Sequence, residues 1–359
     1  MPHVSSYDTA AYLGRVSGGR PFSRAMASSW QVSDDRMSTL ISAGLVHRVR
    51  GGWYVVPAPA EPAVASSAET DLIDLLRVEV DDLARRGHAS LVAGRTATDL
   101  WGVGYLGERG PLPASTPTLL CRPSPSLRPG RRGKVLIRFG DWQPEQVTEL
   151  HGLPITTPLT SAIDVAREVA RSARFALPPL VGGARLHIAH SLGLDPASAM
   201  DITNVAQDPA VRSMVHAALR RAVSFTTVRG VRPVRAALPL VDPRLETVLE
   251  SFSWASWSQS GLVMPVPQQW ITTGSGTAYR VDFALDNVIG EADGKVKYQT
   301  PEALWAEKTR QIELEGDGFD VVRWTFPEML SHPADVFRRI RWALENPRKP
   351  TKFRPNRSA

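Results

Sequence analysis

The chain has 359 residues, 42 lysines and arginines against 36 aspartates and glutamates, a formal charge of +6 and 43% hydrophobic residues. That length predicts two or three domains with real cores, and the composition argues against a disordered or fibrous protein. A single cysteine, Cys121, excludes an internal disulfide and a cysteine-based zinc site, and no apolar run reaches membrane-spanning length. The N-terminus lacks the basic and apolar regions of a secretory signal, so the expected location is the cytoplasm. The basic excess suits an acidic partner such as nucleic acid, although an arginine-rich composition alone would produce the same sum.

In chain order, Ser23 to Ser29 predicts a short helix, Gln31-Val32 a turn, and Ser33 to Ala43 a second helix with Ser33 as N-cap and Gly44 as its stop. Leu45–Arg50 and Trp53–Val56 then flank Gly51-Gly52 as a basic hairpin. This is the layout of a winged helix-turn-helix, whose second helix enters the major groove while the wing lies beside phosphates. Candidate groove residues are Gln31, Ser33, Asp34, Arg36, Met37, Ser38 and Thr39, and candidate wing contacts are His47, Arg48 and Arg50. A solvated face on a protein-binding winged helix is the alternative.

The middle of the chain carries little chemistry. A helix is expected over Thr70–Arg86, strands near Thr118–Cys121 and Lys134–Phe139, and helices near Ser161–Ser172 and Pro209–Ala222. Arg122, Arg128, Arg131, Arg132, Lys134 and Arg138 cluster in an expected Pro/Gly-rich loop suited to phosphate contacts. Pro178-Pro179 and Gly182-Gly183 predict a loop, and Val241-Asp242-Pro243 the entry to a final domain. Asp164 fits a cap or an internal ion pair better than a catalytic role.

From Pro243 the expected order is helix (to Ser260), strand (Gln269–Thr273), a hairpin through Asp282 and Glu291, helix (Pro301 to Gly316), strand (Phe319–Thr325) and a last helix (Pro333–Leu344). Within Arg280-Val-Asp282-Phe-Ala-Leu-Asp-Asn-Val-Ile-Gly-Glu291-Ala-Asp293-Gly-Lys295, alternation places Glu291, Asp293 and Lys295 on one strand face, and the hairpin partner brings Asp282 alongside. Carboxylates with open positions suit Mg²⁺ or Mn²⁺, and a lysine can orient water or neutralise a pentavalent phosphate. Charged residues at strand ends also serve simply to block edge-to-edge pairing. Beyond the last helix, Arg348, Lys349, Lys352, Arg354 and Arg357 form a basic tail without acids.

This final third resembles the PD-(D/E)xK restriction-endonuclease-like superfamily, in particular its very-short-patch-repair-like branch. The resemblance rests on Leu249-Glu250-Ser251, Pro265-Val-Pro-Gln268, Val281-Asp282-Phe283, Glu291-Ala-Asp293-Gly294, Lys297-Tyr298, Glu307-Lys308-Thr-Arg310 and Gly318-Phe-Asp-Val-Val-Arg323-Trp324. It implies Asp282, Glu291 and Asp293 as metal-binding acids, Glu250 as a helix-borne acid facing them, and Lys295 as the lysine of an Asp293-Gly294-Lys295 register that competes with one centred on Glu291. Trp254 and Tyr298 stand where the branch usually has arginine and histidine. The segment from Arg20-Pro-Phe-Ser to Gly51-Gly-Trp-Tyr, with Ala97-Thr-Asp-Leu-Trp101-Gly102, Gly152-Leu-Pro-Ile-Thr-Thr-Pro158 and Ala162-Ile-Asp164, resembles AbiEi-family antitoxins of type IV toxin-antitoxin systems. Thr160 replaces an arginine common there. That likeness implies promoter binding and a nucleotidyltransferase toxin as partner.

The expected architecture is therefore an α+β and α/β multidomain chain: a winged helix-turn-helix over residues 1–66, an AbiEi-like mixed α/β middle domain over 67–240, a restriction-endonuclease-like αβββαβ core over 241–346 and a basic tail over 347–359. Two functions follow as expectations. One is a Mg²⁺- or Mn²⁺-dependent endonuclease acting on double-stranded DNA, in defence against foreign DNA. The other is an antitoxin or autorepressor with a silent nuclease fold. Many such nucleases act as homodimers, but no dimer helix stands out, and no membrane partner is expected.

Overall fold

A computed structural model describes residues 5–57, 67–106, 115–225, 230–293 and 301–350. The chain is of mixed α and β structure and forms two compact units: residues 1–97 with 114–157, and residues 98–113 with 158–359. Among the described residues, no helix is long and apolar enough to cross a membrane.

The first unit opens with α1 (Ser6–Ser17), β1 (Phe22–Ser23), α2 (Arg24–Ser29), α3 (Asp34–Ser42), β2 (His47–Arg50) and β3 (Trp53–Val55). Ser23 caps α2 through the Met26 N–H, and Ser33 caps α3 through the Arg36 N–H at 3.3 Å, each satisfying a donor that a helix start leaves orphaned. Leu13, Phe22, Met37, Leu40, Val46 and Tyr54 fill a common core beneath a small sheet of order β1-β3-β2. Then follow α4 (Ser67–Arg85), β4 (Ser90–Val92) and α5 (Gly94–Leu100), which runs across the boundary between the units. The strands β5 (Thr118–Cys121), β6 (Gly130–Arg132), β7 (Val135–Phe139), β8 (Val147–Leu150) and β9 (Leu153–Thr156) join β4 in a sheet of order β6-β7-β5-β4-β9-β8. The basic stretch expected as a loop is thus partly the β6–β7 hairpin. Within it, Arg132 is committed to Asp82 of α4 at 2.7 Å.

The second unit holds α6 (Pro158–Val169), α7 (Ala173–Leu192), α8 (Ala199–Ala206), α9 (Pro209–Ser224), α10 (Val231–Ala237) and α11 (Val248–Trp257). The loop expected at residues 178–183 is instead the interior of α7. Packing overrides propensity there: a Cβ on Gly183 would lie 2.5 Å from the Ala162 Cβ and 2.9 Å from the Pro158 carbonyl, so glycine lets α6 lie against α7. The helix expected from Pro243 starts later, at Val248, because the Thr247 hydroxyl caps the Glu250 N–H at 3.0 Å.

After α11 come β10 (Val266–Thr272), β11 (Ala278–Leu285), β12 (Val288–Ala292), α12 (Pro301–Gly316), β13 (Asp320–Trp324), α13 (Phe326–Ser331) and α14 (Pro333–Glu345). The strands form a sheet in sequence order, antiparallel except for the parallel β12–β13 pair joined through α12. Leu180, Ile188 and Leu219 share one core with Phe252, Trp257, Phe283, Trp324 and Ile340. No break in packing falls at Val241, itself part of this core, so the segment 67–240 contributes to both units. A sequence shows the apolar stripe of each helix but not which neighbour the stripe will face.

Candidate active site

The sheet register gathers the acidic residues of the second unit. Phe283 pairs with Gly290, which sets Asp282 against Glu291 at the next step. Pro267 pairs with Phe283 and Gln269 with Val281, which sets Gln268 opposite Asp282 on the other side. Glu291 pairs in turn with Arg323. Four polar residues therefore form a row across the sheet.

Regular alternation fails in this row. Val281 packs with Ile289 and Leu314, whereas Phe283 stacks on Trp254 and Trp324, although residues two apart on a strand normally share a face. β11 therefore changes face at Asp282. Opposite it, Gln268 holds φ 53°, a left-handed conformation that costs a side-chain-bearing residue roughly 1–2 kcal/mol. The break places Asp282 where it meets a carboxylate from the α11 side, Glu250, and one from β12, Glu291.

Each carboxylate is held. Glu250, only 3% exposed in the first turn of α11, has its Oε2 bonded by the Gln268 amide at 2.8 Å and by the Glu246 N–H at 2.9 Å. Asp282 Oδ2 accepts the Ala292 N–H at 2.8 Å. Glu291 Oε1 accepts Arg310 Nη2 at 2.6 Å. Arg310 also donates to the Arg280 carbonyl at 3.1 Å and pairs with Glu307, which pairs with Arg323. Asp282 and Glu291 each keep a second oxygen outside these bonds.

Burial, then the charges of Glu250 and Glu291, push the Asp282 carboxyl up from 3.8 to about 8, against the Ala292 N–H and Arg310. Burial also raises Glu250, against the bonds from Glu246, Thr247 and Gln268, and raises Glu291, against the charges of Arg310 and Arg323. The charges of Glu250 and Glu291 both oppose ionisation of Asp282, a pattern that a cation would relieve.

Asp293 follows β12, half-buried, with its N–H on the Trp324 carbonyl at 2.9 Å. Lys295 lies outside the described residues, as do Lys297, Tyr298 and the tail residues Lys352, Arg354 and Arg357. Among the described residues, no three histidine, cysteine, aspartate or glutamate side chains form a group able to hold a metal by themselves. Arg348 of the expected tail is tied to Asp320 at 2.6 Å and to Glu315 at 3.0 Å. The sequence presented Gln268 and Arg310 only as members of a pattern. A polar residue between Pro267 and Gln269 hinted at an irregular strand, but the left-handed backbone and its bond to Glu250 needed the fold.

At the N-terminal end, α3 exposes Ser33, Ser38 and Thr39, with Gln31 exposed in the preceding turn at φ 64°. Ser38 and Thr39 donate to the carbonyls of Asp34 and Asp35. Met37 is fully buried and belongs to the core, since its position shares the inward face with Leu40. Arg36 reaches back to α1, with Nη2 3.0 Å from the Thr9 hydroxyl. Arg48 lies 5.8 Å from the Tyr54 ring centre and remains exposed. Arg50 differs: it is half-buried, its Nε 3.2 Å from Glu79 and its Nη2 3.4 Å from Asp82, so its charge serves the packing of α4 against the hairpin.

No family model matches this chain, and no solved structure matches it. Two Mycobacterium tuberculosis proteins, one from strain CDC 1551 / Oshkosh and one from strain ATCC 25618 / H37Rv, both described as uncharacterized, are each 25% identical to it over 303 residues, covering 82% of this chain and 92% of theirs.

Proposed function

We propose that the chain is a DNA-binding protein whose C-terminal part is a PD-(D/E)xK-like, Mg²⁺- or Mn²⁺-dependent endonuclease. The observation that carries this reading is the convergence of Asp282, Glu291 and Glu250 at the point where β11 changes face. Supporting it are the order α11, β10, β11, β12, α12, β13 and the cap, turn and hairpin of the N-terminal segment, which fit a restriction-endonuclease-like core and a winged helix.

The donor set fits a hard divalent ion. Mg²⁺ keeps several waters and needs only one or two carboxylates besides substrate phosphate, so the second oxygens of Asp282 and Glu291 suffice without a closed cage. Such an ion, when bound, would acidify its water and offset phosphate charge. Around it, Arg310 fixes the orientation of Glu291, and Gln268 fixes Glu250 beside Asp282. Asp293 is the further acid of this reading, and Lys295, outside the described residues, is its lysine by the sequence resemblance alone. Ser33, Ser38, Thr39, Gln31 and Arg48 form the proposed groove and wing surface.

A second reading, an AbiEi-type antitoxin or autorepressor with a silent nuclease fold and a nucleotidyltransferase toxin as partner, is favoured by one observation: Arg310 already supplies a cation to Glu291 at 2.6 Å. The deciding experiment incubates the purified protein with supercoiled, linear, mismatched and single-stranded DNA in Mg²⁺ or Mn²⁺. Nicking that is abolished by Asp282→Ala and by a chelator is expected. DNA binding without cleavage of any substrate would leave the repressor in its place.

A further inference from the structure

We propose that a cleft on the second unit, formed by the first turn of α7, the end of α11 and α14, is a phosphate-binding site that engages the backbone of nucleic acid. The cleft has a volume of about 550 Å³ and is lined by Arg174, Arg338 and Arg341 together with Ser256, Gln259 and Phe337. Its nucleic-acid assignment rests on the DNA-binding reading above. The phosphate chemistry does not.

Arg174 carries the argument. It is half-buried, its guanidinium lies 4.5 Å from the centre of the Phe252 ring, and Nη2 donates to the Met329 carbonyl at 3.1 Å. Its Nε is buried without a hydrogen-bond partner, and no carboxylate pairs with Arg174 among the described residues. Burial accordingly lowers its pKa with no acidic neighbour to offset the shift. A cation withdrawn from water without a counter-charge is costly, and the aromatic face returns only part of that. An anion in the cleft would supply the missing charge.

The other two arginines are held loosely. Arg338 pairs with Asp335 at 2.8 Å, but both are well exposed, and such pairs contribute little. Arg341 reaches the Ser260 carbonyl only at 3.5 Å, the outer limit of a hydrogen bond. Ser256 and Ser260 spend their hydroxyl protons on the carbonyls of Phe252 and Trp257, so donors to an anion come from the guanidinium groups, whose forks match phosphate oxygens. Beyond the cleft, α14 also exposes Trp342, whereas Arg339 is paired with Glu328 at 3.1 Å. A single small anion needs only the cleft. A polymer of phosphates uses the whole basic, aromatic-bearing face.

The test compares the full chain with an Arg338→Ala/Arg341→Ala double variant, altered only on an exposed helix face, and with Arg174→Gln. Inorganic phosphate, against chloride at equal ionic strength, is expected to raise the melting temperature of the wild type and not of either variant. A short labelled duplex, titrated in Mg²⁺-free buffer at several salt concentrations, is expected to bind the variants more weakly. The slope of log affinity against log salt should be shallower by about 0.9 for each phosphate that the variant no longer neutralises. Equal phosphate stabilisation of all three proteins, or of none, overturns the site. Phosphate stabilisation abolished in the variants with an unchanged duplex slope assigns the cleft to a small phosphorylated ligand and overturns the nucleic-acid source. Cleavage plays no part in either measurement. A wild type that binds no duplex would sink the DNA-binding reading by itself, whereas a binding wild type with indistinguishable variants sinks only this site.

Discussion

Replacing Asp282 by Asn should make the second unit more stable at neutral and alkaline pH, less so near pH 5, and almost unchanged below about pH 4. Asp282 keeps its proton in the folded chain up to about pH 8, whereas its ordinary value is 3.8. Between those values the folded state binds a proton that the unfolded chain has released, so stability falls as pH rises, by up to ~1.4 kcal/mol per pH unit, and is flat outside the window. From pH 5 to pH 8 that amounts to at most about 4 kcal/mol. Asparagine removes the titration and still offers an oxygen to the Ala292 N–H, which Asp282 now bonds at 2.8 Å. Urea unfolding at several pH values, followed by tryptophan emission, to which the buried Trp257 and Trp324 of the second unit contribute, reads the difference between the two proteins. The wild-type curve should decline more steeply by about one proton than that of the Asn variant. Mg²⁺ should restore wild-type stability at pH 8 more than at pH 5, because only the ionised carboxylate gains from it. Parallel curves for the two proteins would refute the placement of Asp282 among opposing carboxyls.

Arg310→Ala strips Glu291 and Glu307 of a half-buried partner and should cost on the order of 3–5 kcal/mol of second-unit stability in urea, with Arg310→Lys costing less. Gln268→Gly relieves the left-handed backbone while losing the bond to Glu250, so stability should stay within about 1–2 kcal/mol of wild type. Metal affinity, measured by calorimetry, should nonetheless fall in that variant. Arg50→Ala leaves Glu79 buried and should destabilise the first unit by about 1–3 kcal/mol with little change in the salt slope of DNA binding. Arg48→Ala should do the reverse, lowering that slope by about 0.9 at constant stability, as read by anisotropy and thermal melting.

Local chemistry is legible where a side chain acts on its own backbone. Ser23 and Ser33 cap the helices expected to start at them, and Gly51-Gly52 turns the hairpin, because each effect is settled within a few residues, whereas the expected start at Pro243 passes over the Thr247 cap. Residues whose meaning depends on distant partners are not legible in this way. Pro178-Pro179 and Gly182-Gly183 carry every mark of a loop, yet the close approach of α6 makes glycine the residue that fits inside α7. Position alone groups Met37 with Ser33 and Ser38, and only the packing of α1 and α2 around α3 shows it as core.

The candidate site shows the same division at closer range. The hairpin register sets Glu291 beside Asp282, but alternation is the rule that β11 breaks at Asp282. Had β11 remained regular through Asp282, the residues at 281 and 283 would share a face, and Asp282 would meet the groups of the opposite face alone. The face change lets Glu250 from the α11 side and Glu291 from β12 act on a single carboxyl, and Gln268, in its strained conformation opposite, bonds Glu250 directly. Strain of this kind persists only where surrounding structure enforces it, and here it falls on the residue that joins the irregular strand to the buried acid. The coincidence of the break and the buried charges at one point is the physical argument on which the proposed metal-dependent chemistry of this row rests.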